Sequence, residues 1–495
     1  MWATGRPVPG DWRGAPSRAE RMERGGWRWR AVGVHAVVVA AIGAFAAVER
    51  DPAAILRTGG AVMAVLLLGL GINEARHSRL RLTPLSFYFF WYSAGLGLSA
   101  VYYGSLTQDG SPVDFSTAWV WPEQLAQGYV FCLLGSLALH AGIQISRPFG
   151  SPHAEPESDC LLNLPFLVGL WLVGIFFLWN PESVTFLGIV GRIVQQAALP
   201  AVAAFALSGP ERFGLSRLRF ALLLGVGTAG VLVGHLNSGS KSYLMFSFLP
   251  IFWLFMERRR LRRWLPLLAL TLAAVYFVLV APAIGRSRES PRTDGQSNAD
   301  RLMEVLREDR NDLGGGTFDL GEGLDAFLKR QFDPIAVAYL IGETEVYGLQ
   351  WGRTMQYATY ALIPRALWPD KPTITQGAWF AWYTGFAASP ESSTMALGMT
   401  AVGELFWNFG LLGVTLGMLL LGYFLGLQWR LAGADPRGRP LNMLLYMLLL
   451  FLMVNMAEAV NVAVTVIANF LLFSVATYVA NAFVRRRHRL PRGGP

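Results

Sequence analysis

TAVGELFWNFGLLGVTLGMLLLGYFLGL, residues 400–427, carries one charged group, Glu404, in a run dominated by aliphatic, aromatic and small residues. As a helix rising about 1.5 Å per residue, it exceeds the roughly 30 Å of hydrocarbon in a bilayer. Comparable runs lie at 31–48, 53–73, 84–103, 119–145, 161–179, 184–207, 218–236, 241–256, 264–284, 441–457 and 460–483. The fold they predict is an all-α polytopic membrane protein of about twelve transmembrane helices. The fourth run is interrupted by Pro122 and Glu123, and the eighth is short. Composition agrees: 53% of the 495 residues are hydrophobic, 15% are charged and the mean hydropathy is +0.38, too apolar for a soluble chain of this length.

A net charge of +9 raises the question of nucleic acid, and the placement of the cations answers it. With the N-terminus in the cytoplasm, the cytoplasmic segments hold 27 Lys and Arg, including ERRRLRR at 257–263 and RRRHR at 485–489. The short outer loops hold two, Arg50 and Lys241. That asymmetry is the positive-inside rule, so the cations face a membrane surface, both termini are expected inside, and no nucleic-acid partner is expected. Residues 1–30 read as a disordered basic cytoplasmic tail and 484–495 as a second basic tail. The first run ends in AFAAVERD, which resembles a signal-peptidase site; cleavage there would leave the later topology unchanged. Cys132 falls in a span and Cys160 in a cytoplasmic loop, which predicts neither a disulfide nor a thiol metal site.

Spans one to nine occupy 31–284 and spans ten to twelve 400–483, which leaves 285–399 as one large extracytoplasmic loop, long enough to be functional. Within it, 298–310 has a helical apolar face and 322–344 reads as a more apolar helix broken at Pro334. The stretch 348–364 is amphipathic and aromatic. IPRALWPDKPTITQG, 363–377, is stiffened by three prolines that present Arg365 and Lys371 over whatever lies below. The loop is therefore expected to act as a lid.

Polar groups within the spans are few and cluster at the outer mouth of spans six to eleven. They include Arg192 with Gln195 and Gln196, His235 with Asn237, Lys241, Arg286 and Arg288 after span nine, Glu404 with Asn408 at i and i+4, and Glu458 in the last outer turn. A basic pocket at this level suits an anionic group already in the membrane, such as a lipid pyrophosphate, because guanidinium forks grip phosphate oxygens in pairs. Trp351, Trp368, Trp379, Trp382 and Tyr383 suit stacking on sugar rings. Simple interhelical pairing and interfacial anchoring account for the same residues equally well.

Three segments, SGSKSYL at 238–244, IPRALWPDKP at 363–372 and GELFWNFGLLG at 403–413, resemble the O-antigen polymerase (Wzy-type) family. The resemblance extends over 218–427. It implies a GT-C-like helical fold with essential arginines in the bacterial inner membrane. The implied enzyme is an inverting glycosyltransferase that joins undecaprenyl-pyrophosphate-linked oligosaccharides on the outer face. The bilayer, a chain-length regulator and a flippase are the implied partners. On this reading Arg192, Lys241, Arg286 and Arg365 stabilise the departing pyrophosphate, with Arg288, Arg353 and Lys371 as further cations. Trp368, His235 and Asn408 complete the expected binding set. Asp370 and Glu404 are the candidate general bases, although Asp370 also suits a turn pairing with Arg365 or Lys371. No DxD stands in the loop, so neither metal nor cofactor is expected. An O-antigen ligase and a flippase or exporter of lipid-linked saccharide are the competing readings.

Overall fold

The computed structural model describes residues 18–78, 80–115, 118–147, 164–180, 191, 194–237, 246–257, 264, 320–356, 358–359, 363, 367–368, 370, 376–390, 397–433, 435–436, 440–456 and 458–489. Helices α1 (Arg18–Val48) and α2 (Pro52–His77) are joined by a tight turn in which the Asp51 carboxylate accepts from Ala53 N at 2.9 Å, with Pro52 opening α2. Helix α3 (Pro84–Tyr92) passes through a π-helical stretch, Ser93–Leu98, into α4 (Ser99–Leu106). A small hairpin of β1 (Val113–Phe115) and β2 (Ala118–Val120) precedes α5 (Pro122–Ser146), whose first helical residue is the proline that interrupts the fourth run.

Helices α6 (Leu164–Trp179), α7 (Ala198–Ser208), α8 (Arg217–Asn237) and α9 (Leu249–Glu257) form one flank of the bundle. They are followed by α10 (Leu320–Gln331), α11 (Pro334–Tyr347), α12 (Gln376–Tyr383), α13 (Ala401–Ala432), α14 (Pro440–Val454) and α15 (Ala459–Arg489). Arg76, Arg147, Arg217 and Arg430 all stand at helix ends on one side, which defines a basic end of the bundle and an opposite end.

Among the described residues, five helices are long and apolar enough to cross a membrane: Gly26–Val48, Pro52–His77, Pro122–Ser146, Arg217–His235 and Ala401–Ala432. Shorter apolar helices accompany them, so the chain is a mostly helical, multi-pass membrane protein, with one β-hairpin among the described residues. Of the twelve expected spans, 264–284 and much of 184–207 lie outside the described residues.

The run 400–427 is not one straight crossing. Gly410 has φ 65° and ψ −156°, and the chain reverses there. Val402 and Met418 both lie against Gly135 of α5, although a straight helix would hold them about 24 Å apart. Leu405 likewise packs against Gly413 and Gly417. The limb 401–409 therefore folds back beside the limb 411–432, and only the longer limb, about 33 Å at 1.5 Å per residue, has the length of a crossing. Hydropathy reports composition along a run and is blind to its direction.

Part of the expected loop is packed into the bundle. The break at Pro334 is present, and the helices on either side of it, α10 and α11, pack against the bundle. The Gln331 carbonyl lies against Gly95, Phe332 stacks on Tyr103 with ring centroids 4.3 Å apart, and the Pro334 carbonyl lies against Gly128 of α5. Ile335, Val337, Leu340 and Ile341 are buried, since α11 packs on α5 and the short limb of α13. A segment this apolar gains about 25 cal/mol for each Å² of apolar surface covered, which lying across headgroups would forfeit. The expected helix at 298–310 lies outside the described residues.

Candidate functional site

Glu404, on the short limb of α13, is fully buried. Its Oε1 accepts from Thr354 Oγ1 at 3.0 Å and from Gln376 Nε2, and its Oε2 accepts from Val460 N, at 3.0 Å, in the first turn of α15. One turn on, Asn408 is also buried. Its Nδ2 donates to Thr354 Oγ1 at 2.6 Å and to the Glu404 carbonyl at 2.8 Å, while its Oδ1 accepts from Gly352 N at 2.9 Å. Two carbonyls released where α13 reverses, those of Trp407 and Asn408, accept from Gln350 N at 2.9 Å and Trp351 N at 3.1 Å. Three segments distant in sequence, 350–354, Gln376 and the start of α15, are thus tied to one carboxylate and one amide of a fourth.

The backbone here is held in uncommon conformations. Thr400 has φ 63° and Trp351 φ 51°. For a β-branched or bulky residue each costs of the order of 1–3 kcal/mol and persists only where neighbours enforce it. At Thr400 the enforcing contact is visible: its hydroxyl caps the short limb by accepting from Gly403 N at 3.0 Å.

Beside this hub stands an aromatic group. Trp379 lies 6.0 Å from Trp407 and 5.3 Å from Tyr383, centroid to centroid. Tyr383 Oη donates to Glu343 Oε2 at 2.6 Å, and burial together with the adjacent Glu343 carboxylate raises the phenol well above its usual range. The guanidinium of Arg353, on an exposed 3-10 turn (Arg353–Gln356), acts on the same phenol in the opposite sense. Gln376 Oε1 and Trp407 Nε1 are buried without a hydrogen-bond partner among the described residues.

Of the residues singled out from sequence, Glu404 and Asn408 come together in this cluster, and Arg353 stands near it. Trp368 and Asp370 are exposed. His235 is buried at the end of α8, where its Nδ1 shares a hydrogen bond of 2.7 Å with Ser247 Oγ. Arg192, Lys241, Arg286, Arg288, Arg365 and Lys371 lie outside the described residues. Thr354, Gln376 and Glu343 were not found from sequence, because an ordinary polar residue in a loop carries no local sign of its partner. Among the described residues no cluster of three or more His, Cys, Asp or Glu is placed to hold a metal ion.

The family model of O-antigen polysaccharide polymerase Wzy matches residues 223–480, just over half of the chain. The chain belongs to the Wzy O-antigen polymerase family. The matched interval contains α9 to α14 and the larger part of α15, and therefore every residue of the Glu404 cluster, whereas α1 to α7 precede it. No curated protein and no solved structure matches the chain.

Proposed function

We propose that this Wzy-family protein is an inverting glycosyltransferase of the inner membrane that polymerises undecaprenyl-pyrophosphate-linked repeat units on the outer face. The observation that carries the reading is the buried Glu404 cluster, which gathers four segments at the family-matched end of the bundle, with an unpartnered donor and acceptor beside stacked aromatics. In the transfer, a hydroxyl oxygen of one lipid-linked unit attacks the anomeric carbon of another. The bond from that carbon to the pyrophosphate oxygen breaks, its electron pair stays on the pyrophosphate, and the hydroxyl proton goes to a base. Arg192, Lys241, Arg286 and Arg365 are assigned to the growing charge on the leaving group, where preorganised cations lower the barrier most. Arg353, Arg288 and Lys371 supply further anion contacts, and Trp368, Asn408 and His235 complete the binding set. An apolar groove of about 170 Å³ between α6, α7 and α8, lined by Leu167, Trp171, Phe205 and Leu224, suits a hydrocarbon tail.

Glu404 is assigned a positioning role, since both of its oxygens are already engaged by donors. The deciding experiment is analysis of lipid-linked glycans in a deletion strain. Accumulation of one capped repeat unit is expected; long unattached chains would instead identify a ligase, and units retained on the inner leaflet a flippase. Arg192→Ala and Arg365→Ala are each expected to reproduce the deletion pattern in complemented cells, and normal long-chain polysaccharide in both would overturn the pyrophosphate assignment. Arg→Lys at either position is expected to impair elongation too, because Lys lacks the planar fork.

A further inference from the structure

Three interruptions of helical structure meet about halfway along α5. Asp333 separates α10 from α11, Thr400 precedes α13, and Asn455–Glu458 separate α14 from α15. Ala401 N donates to the Met456 carbonyl at 2.9 Å, which ties two of them together. Between them lies an internal cavity of about 20 Å³, lined by Tyr88, Tyr92, Cys132, Ser136, Asp333 and Thr400 among others. That volume is enough for one water molecule, and a wall with this many hydroxyls favours a hydrated cavity over a dry one.

The groups are already paired in a way that leaves the carboxyl at the centre. Tyr92 donates its phenol proton to Asp333, and Tyr88 Oη donates to Ser136 Oγ at 2.9 Å. The cavity is continuous with the functional cluster through the backbone: Thr400 lines it, and Glu404 N donates to the Thr400 carbonyl at 3.0 Å, one turn above. The helix starts around it do not make an anion site, because Glu404 and Glu458 both stand at the start of α15 and Asp333 stands at the start of α11.

We infer that Asp333, with a water molecule in this cavity, is the proton acceptor that takes up the proton released by the attacking sugar hydroxyl. This rests on the polymerase reading. The hydroxyl proton passes by way of water to an Asp333 oxygen as the new glycosidic bond forms, the electron pair of the broken bond remains on the pyrophosphate, and the proton returns to water after product leaves. Burial raises this carboxyl, which belongs to no spanning helix, to about 7, so it can hold and release a proton near neutrality. The titratable groups around it are Tyr88 and Tyr92 on α3 and Cys132 on α5.

Cys132 is a native reporter on the cavity wall. In the Cys160→Ser protein, where it is the sole thiol, the Cys132 S–H infrared band is expected to convert to S–D in D2O without denaturation, since only water need enter the cavity. Infrared spectra of the purified protein are expected to contain a protonated-carboxyl band that titrates near neutral pH and is absent from Asp333→Asn. The same variant is expected to elongate chains about a hundredfold more slowly with a flattened pH profile, while Asp333→Glu retains much of the rate. The inference is overturned if the Cys132 thiol exchanges only after unfolding, if the carboxyl band persists in Asp333→Asn, or if that variant elongates normally across pH. Should Asp333→Asn not fold, Tyr92→Phe decides: loss of the phenol donor must move the band's titration to higher pH, and no movement overturns the inference. Failure of the deletion strain to accumulate single units would sink the polymerase reading separately, because the thiol exchange and the carboxyl band do not depend on it.

Discussion

At the scale of single residues, Glu404 shows how one carboxylate can organise a site. It receives donors from a loop, a short helix and the start of α15, each a hydrogen bond to a charged group worth about 1.5–3 kcal/mol. Glu404→Gln turns an NH2 group toward those donors, so we expect a fall in thermal stability in detergent of that order together with loss of long-chain polysaccharide; an unchanged melting temperature would remove Glu404 from its central place. Asp333 supplies a pH signature. Its carboxyl is raised by burial from 3.8 to about 7, so the folded protein keeps a proton that the unfolded chain has already released. The stability it contributes is complete below 3.8 and is lost as pH rises toward 7. Melting temperatures are therefore expected to fall between pH 4 and pH 7, and Asp333→Asn is expected to reduce that slope. Glu404 and Asn408 were legible because i and i+4 share a helix face whatever the rest of the chain does. Their partners Thr354 and Gln376 were not, since nothing local distinguishes them.

At the scale of elements, the reversal at Gly410 sets the height of Glu404 in the bundle. Its dihedral angles, φ 65° and ψ −156°, lie in a region open essentially to glycine alone. Gly410→Ala is expected to cost about 1–3 kcal/mol, read as a lower melting temperature, and to reduce elongation by displacing the short limb. Wild-type melting and polysaccharide would show that the limb tolerates the change. The break before Pro334 was readable because proline lacks the amide and restricts the residue before it. The packing of α10 against α4 and of α11 against α5 and α13 was not readable. An apolar helix in an outer loop covers headgroups or a protein interior with equal local propensity, and only the available partner surfaces decide.

At the scale of the whole molecule, the two ends of the bundle are built differently. At the basic end Glu74 and Arg147 form a buried, two-pronged ion pair with both contacts at 3.1 Å, and the guanidinium lies 4.8 Å from the Trp429 ring centroid. That arrangement locks α2, α5 and α13 together. Arg147→Ala strands a buried carboxylate and is expected to cost about 3–5 kcal/mol, measured by thermal unfolding in detergent, whereas a loss below about 1 kcal/mol would mean the pair is not a lock. The opposite end carries the broken helices, the strained Thr400 and Trp351, and the hydrogen-bonded cluster. Strain is tolerated there because the basic end is tightly packed, with glycines of α5 and α13 meeting backbone to backbone at Gly142 and Gly422.

The sequence by itself determined that this is a helical, multi-pass membrane protein, that its charges are divided between two faces, and which family it resembles. Those properties follow from hydropathy and charge summed along the chain, and neither sum needs a partner. Only the tertiary structure decided that the run 400–427 doubles back, that α11 of the outer loop enters the bundle, and that Asp333 and Tyr92 share the wall of a water-sized cavity. Each of these depends on which surfaces remain to be covered once the neighbouring helices are in place, a quantity that no window of sequence contains.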